Sequence, residues 1–182
     1  VDMLAIYLLL RDYAKRDSGN ATVEFVFMLP LFVIVFVSTF EVGLAMTRLT
    51  MLEHGLDSTM RVMRLSTGQD YDHNDVRDMV CDNAGILENC TKYLQVELIR
   101  IDPDNWIMPP DFATCVDRAS NADPVVTFRQ GSEAQANDIM HVRVCYAVDR
   151  FFPTIGLGSM LETDDTGAIH LVASSAFAQE PE

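Results

Sequence analysis

The 182 residues carry 27 acidic against 13 basic side chains, a formal net charge of −14. They contain no Lys/Arg cluster of the kind that phosphate binding uses, which excludes a nucleic-acid role. The length suits one domain plus a membrane segment rather than two full domains.

The first residues hold a short apolar run, Leu4–Leu10, which is too short to cross a bilayer. Its basic neighbours Arg11, Lys15 and Arg16 follow it, whereas a secretory signal places them in front. Residues 1–19 therefore read as a leader that stays in the cytoplasm. From Phe25 to Met46 only Glu41 is charged, and those residues as a helix span ~33 Å. Pro30 inside the run removes one backbone donor and predicts a kink.

Glu24 stands at the lip of this segment, where a plain anchor has no use for a carboxylate. At the bilayer centre such a charge costs roughly 2.5–3.5 kcal/mol, less near an interface, so Glu24 needs a partner. Glu41 lies toward the outer end, where its carboxylate is expected to reach the interface. Basic residues ahead of the segment and an acidic body behind it predict a cytoplasmic N-terminus and an external body.

Helical periodicity continues past the bilayer. Met46, Leu49, Leu52, Leu56, Met60 and Met63 recur at three- and four-residue steps, and Ser66-Thr67-Gly68 supplies a stop. The reading is one long helix over 20–65, transmembrane over about 25–46, followed by an external domain over 66–182. In that domain a short helix is predicted from about Asp75 to Asn83, ended by Gly85. Alternation predicts a strand around Leu94–Leu98 and a stronger one over Met140–Val148. A last strand falls around Ile169–Phe177, with a weaker edge strand at Pro124–Phe128. In the second strand Cys145 shares a face with His141 and Arg143, so it need not be deep core. A long helix laid on a small antiparallel sheet is an α+β fold.

Cys81, Cys90, Cys115 and Cys145 all lie on the external side, an even number suited to two disulfides in an oxidising compartment. Three pairings are open; the short local loop favours Cys81–Cys90, leaving Cys115–Cys145. Without a Cys-x-x-Cys pair a zinc site is not expected. Asp70, Asp72 and Asn74 alternate as at the start of a calcium loop, but Asp75 replaces the required glycine and Cys81 stands at the bidentate position. A solvated helix start fits better. His54, His73, His141 and His170 have no nucleophile or paired carboxylate beside them in sequence, so no catalytic residue, metal or cofactor is expected. Trp106, between prolines, reads as an aromatic packed under its loop.

The stretch Arg16-Asp-Ser-Gly-Asn-Ala-Thr-Val-Glu-Phe-Val-Phe-Met-Leu-Pro30, and the later Phe40-Glu-Val-Gly43, resemble the TadE-like family, the small pilin-like proteins of the bacterial tight-adherence (Flp) pilus. The C-terminal Ser175–Pro181 also resembles how such proteins end. The resemblance implies cleavage by a prepilin peptidase after Gly19, making Asn20 the new N-terminus and placing Glu24 and Phe25 near it. It implies a non-enzymatic minor pilin or pseudopilin in the inner membrane, its C-terminal domain periplasmic. The implied partners are the prepilin peptidase, the Tad membrane platform, other minor pilins and the major Flp pilin. The alternative is an unprocessed, single-pass anchored periplasmic adaptor or binding module.

Overall fold

The computed structural model describes residues 21–65, 71–101, 110, 112–119 and 139–178. Its first element, α1, is a helix over Ala21–Leu65 that runs on through Pro30. Four hydroxyls in its middle stretch, those of Ser38, Thr39, Thr47 and Thr50, donate back to the carbonyls of Ile34, Val35, Gly43 and Met46. Each is thus satisfied without interrupting the helix. The first half of α1 is exposed and apolar. The second half buries Leu52, Gly55, Leu56, Thr59 and Met60 on one face.

The expected apolar stripe begins too early. Met46 is 59% exposed, and full burial starts at Leu52, because packing against the next helix is centred near Gly55. That helix, α2 (His73–Ala84), starts two residues before the predicted Asp75. Asp72 takes the N-cap, its carboxylate accepting the His73 amide at 2.7 Å, while Asp75 accepts the Asp72 amide at 3.0 Å. This capping box accounts for the acidic run that faintly resembled a calcium loop. Gly85 follows with φ of +73°, a conformation that favours glycine.

At Gly55 the α1 backbone lies close against α2. A Cβ there would lie 2.6 Å from the Val80 carbonyl oxygen and 2.8 Å from the Ala84 Cβ. The sequence reading passed over this glycine; its signal is a lone glycine in the half of the helix that packs.

After the short α3 (Cys90–Tyr93) come β1 (Leu94–Ile101), β2 (Ile139–Asp149) and β3 (Ala168–Ala178), with a 3₁₀ turn at Gly156–Ser159 between the last two. They form one antiparallel sheet with β2 in the centre. Cross-strand rows such as Val96–Val144–Ala173 and Leu94–Tyr146–Leu171 put one face against α1 and α2, which makes the fold α+β. Tyr146 is buried there with its hydroxyl donating to the Glu88 carbonyl at 2.8 Å, and burial pushes the phenol up from its ordinary value. The Pro124–Phe128 strand, Trp106 and the Ser66–Gly68 stop lie outside the described residues.

The other face of the sheet corrects the alternation argument. Gln95, Glu97, Arg143 and Cys145 were expected on the polar face, yet all are buried, Cys145 to 1% exposure. The cause is a covering segment, residues 110 and 112–119. The Cys115–Cys145 disulfide ties it down, Arg143 Nη1 donates to the Pro110 carbonyl at 2.6 Å, and the Thr114 amide donates to Glu97 Oε1 at 2.9 Å. Beneath it, Glu97 and Arg143 face each other across the β1–β2 register as an ion pair of 2.6 Å. A face buried on both sides needs its polar groups partnered, and for Glu97 and Arg143 the partners are each other, the Thr114 amide and the Pro110 carbonyl.

Candidate assembly interface

Within the N-terminal half of α1, residues 25–36 present an exposed apolar surface. Phe25, Phe27, Phe32 and Phe36 are all more than half exposed. No part of its most apolar window is buried in the fold, and it is long and apolar enough to cross a membrane. Glu24 is exposed in the first turn, where a carboxylate suits the positive end of the helix. Phe25 beside it is exposed too. Gly19 and Asn20 lie outside the described residues.

Higher on the same helix, Glu41 behaves differently from expectation. It does not reach outward; it is 3% exposed, and its two carboxylate oxygens accept the amides of Phe151 and Phe152 at 2.9 and 2.8 Å. One turn below, Ser38 Oγ accepts the Leu157 amide at 3.1 Å. Gly156, with φ of +68°, lies so close to Ser38 that a Cβ would sit 2.5 Å from that hydroxyl. Phe40, Phe151 and Phe152 complete the seat in edge-on contacts of 5.1–6.2 Å. The β2–β3 connection is thus strapped to α1 by the polar side chains that interrupt its apolar run. Sequence reasoning noticed Glu41 but not the pairing. The available signal was Ser38 and Glu41 three residues apart, hence on one helix face.

A second tie joins the sheet to its cover. Arg118 makes a two-pronged bond to Asp149 at 2.7 and 3.1 Å and stacks over Tyr93 at 4.8 Å. The Arg118 hydrogen bond holds the Asp149 carboxyl below the usual carboxylate range. For Glu97, burial acts to raise the carboxyl, but hydrogen bonds from Thr114 and Arg143 outweigh it and leave it lowered. Asp164 follows the same pattern, its burial outweighed by Thr166 in the turn before β3 and by Ala168 at the start of that strand. Burial lowers His141, and Arg143 adds to the effect.

The remaining sequence candidates resolve into structural roles. The bonds formed are Cys81–Cys90 and Cys115–Cys145. Cys115, Cys145 and His170 come close enough to suggest a metal site, but the disulfide removes both thiolates. His73 accepts from Gln95 at 3.1 Å, and His170 lies 3.3 Å from Asp164. His54 is exposed on α1. None of these histidines is joined to a nucleophile among the described contacts.

Among the described residues, one helix long and apolar enough to cross a membrane continues into a disulfide-bonded α+β head. Residues 19–61 match the family model described as TadE-like protein, so the resemblance read from Arg16–Pro30 and Phe40–Gly43 stands. The matched stretch contains Glu24, Phe25, Ser38, Glu41 and Gly55, and stops short of the sheet. No curated protein and no solved structure matches the chain.

Proposed function

We propose that this protein is a minor pilin or pseudopilin with a structural, non-catalytic role in assembling or initiating a Tad/Flp pilus. The observation that carries the reading is the TadE-like match over 19–61, which supports a Tad-pilus-associated role of minor-pilin type. The exposed apolar half of α1 supports it as well, offering a surface for lipid before assembly and for neighbouring helices after it.

In this reading a prepilin peptidase hydrolyses the Gly19–Asn20 bond on the cytoplasmic side of the inner membrane. The new α-amino group, with a reference pKa of about 7.7–8.0, is largely cationic at neutral pH. Glu24 of one subunit then meets the amine of a neighbour, so two charges that are costly in lipid are compensated only on assembly. The disulfide-bonded head lies in the periplasm, in contact with other minor pilins, the major Flp pilin and the Tad membrane platform.

Mass measurement of the mature N-terminus tests the processing step. The expected result is an N-terminus at Asn20 in a wild-type host and an intact leader in Gly19→Ala. An intact leader in the unmodified protein defeats the proposal and leaves an unprocessed anchored adaptor. Glu24→Ala should remain membrane-inserted but impair piliation; normal piliation would sink the charge-pairing step.

A further inference from the structure

We propose that the β2–β3 loop, residues 151–161, enters the outer leaflet of the membrane that α1 crosses, giving the protein a second contact with lipid. The inference rests on the membrane-anchor reading of α1 and extends it to a part of the head.

The first observation is depth. The loop is strapped to α1 between Ile34 and Glu41, through Ser38, Phe40 and Glu41. Counted from Phe25, those positions lie about 14–24 Å along the helix, whereas a hydrocarbon core is about 30 Å thick. A loop wholly in water would therefore leave only about 14 Å of helix for the bilayer. The span cannot slide far the other way, because Glu24 bounds it on the N-terminal side, with Asp17 before cleavage and the new α-amino group after it. With Glu41 turned into the loop, the next outward charge on α1 after Glu24 is Arg48. The helix surface facing lipid is thus uncharged from Phe25 to Thr47, and the loop sits within that length.

The second observation is the loop's own chemistry. Phe151-Phe-Pro-Thr-Ile-Gly-Leu-Gly-Ser-Met-Leu161 has no charged residue, bounded by Arg150 and Glu162, in a chain of net charge −14. Most of its apolar side chains face outward: Met160 is 81% and Phe151 58% exposed, with Ile155 and Leu157 close to half. A patch of this kind on an acidic domain marks a contact surface, and its continuity with the apolar helix identifies lipid as the occupant.

The third observation is backbone satisfaction, which irregular chain at membrane depth requires. Glu41 accepts the Phe151 and Phe152 amides, Ser38 accepts that of Leu157, and the Leu157 carbonyl accepts that of Met160. Arg150 Nη1 donates to the Gly158 carbonyl at 2.9 Å. Ser38 and Glu41 would otherwise be unexplained polar residues in an apolar run; here they accept three of the loop's amides, those of Phe151, Phe152 and Leu157.

The test uses full-length protein reconstituted in phosphatidylcholine vesicles carrying bromines at shallow or deep acyl positions. Phe32→Trp and Met160→Trp are read separately against the parent, whose Trp106 gives the baseline. Met160 is largely exposed, so tryptophan there disturbs little packing, and intact disulfides by non-reducing peptide mapping report the fold. The expected result is quenching of both, Phe32→Trp by deep bromines and Met160→Trp by shallow ones. Adding Glu41→Ala should reduce the quenching at position 160 and leave that at position 32 unchanged. Quenching at 32 with none at 160 overturns the loop proposal and leaves the anchor standing. Absence of quenching at both positions overturns the anchor and the loop together. Protection of position 160 only in assembled fibres would assign the loop to a protein neighbour and overturn the lipid contact.

Discussion

Replacing Arg143 by methionine leaves the Glu97 carboxylate under the 110–119 segment with Thr114 as its remaining partner. Both side chains of this pair are 7% exposed, so solvent screening does little to soften the loss. Breaking a buried pair by removing one member costs about 3–5 kcal/mol, because a charge is left uncompensated. The substitution also removes the Arg143 bond to the Pro110 carbonyl, one of the ties that hold the cover down. With a urea m-value of about 2 kcal/mol/M, the unfolding midpoint should fall by about 1.5–2.5 M. The assay is urea unfolding of the full chain in mild detergent, followed by circular dichroism. Adding Glu97→Gln to Arg143→Met should recover much of the loss, since the neutral amide has no charge to strand. A single variant within about 1 kcal/mol of the parent, or a double variant as unstable as the single, would refute the buried-pair reasoning.

Gly55→Val forces a side chain against the Val80 carbonyl and the Ala84 methyl, and should cost about 2–3 kcal/mol by overpacking in the same assay; a neutral result would refute the close helix crossing. Replacing both cysteines of the 115–145 pair by serine should cost about 4 kcal/mol, against about 3 for the 81–90 pair, because the closed loops span 30 and 9 residues. Thermal melts should resolve that order, and the reverse order would refute the loop-length argument. His141 and Glu97 both titrate below their ordinary values when folded, so each contributes stability that is present at neutral pH and lost on acidification. The melting temperature should therefore begin to fall below about pH 6.5 and fall further below about pH 4.5, with His141→Gln removing the first decline. A melting temperature that rose on acidification would contradict the sign.

Much of this architecture was legible from local pattern. An apolar run long enough to cross a membrane, helical spacing beyond it and alternation around Val96 and Val144 are properties of neighbouring residues, and they gave the long helix and the central strands. Asp72 and Asp75 gave a helix start, although the start fell earlier than predicted because the cap was placed too late. Alternation failed at Glu97, Arg143 and Cys145 for a physical reason. It reports which residues share a face, not what lies over that face, and here a segment remote in sequence covers it. Glu41 failed in the same way: a carboxylate near a helix end can face water or accept two amides, and the choice depends on a loop 110 residues away.

The Gly19–Phe25 passage, the uncharged run behind it and the spacing of four cysteines could be read before any folding was known, because covalent order and hydropathy are local. Tertiary structure alone could decide that Gly55 is the helix crossing, that the second sheet face is closed over an ion pair, and that Ser38 and Glu41 belong to the loop. Each of those depends on elements far apart in the chain meeting in space, and sequence spacing carries no record of that meeting.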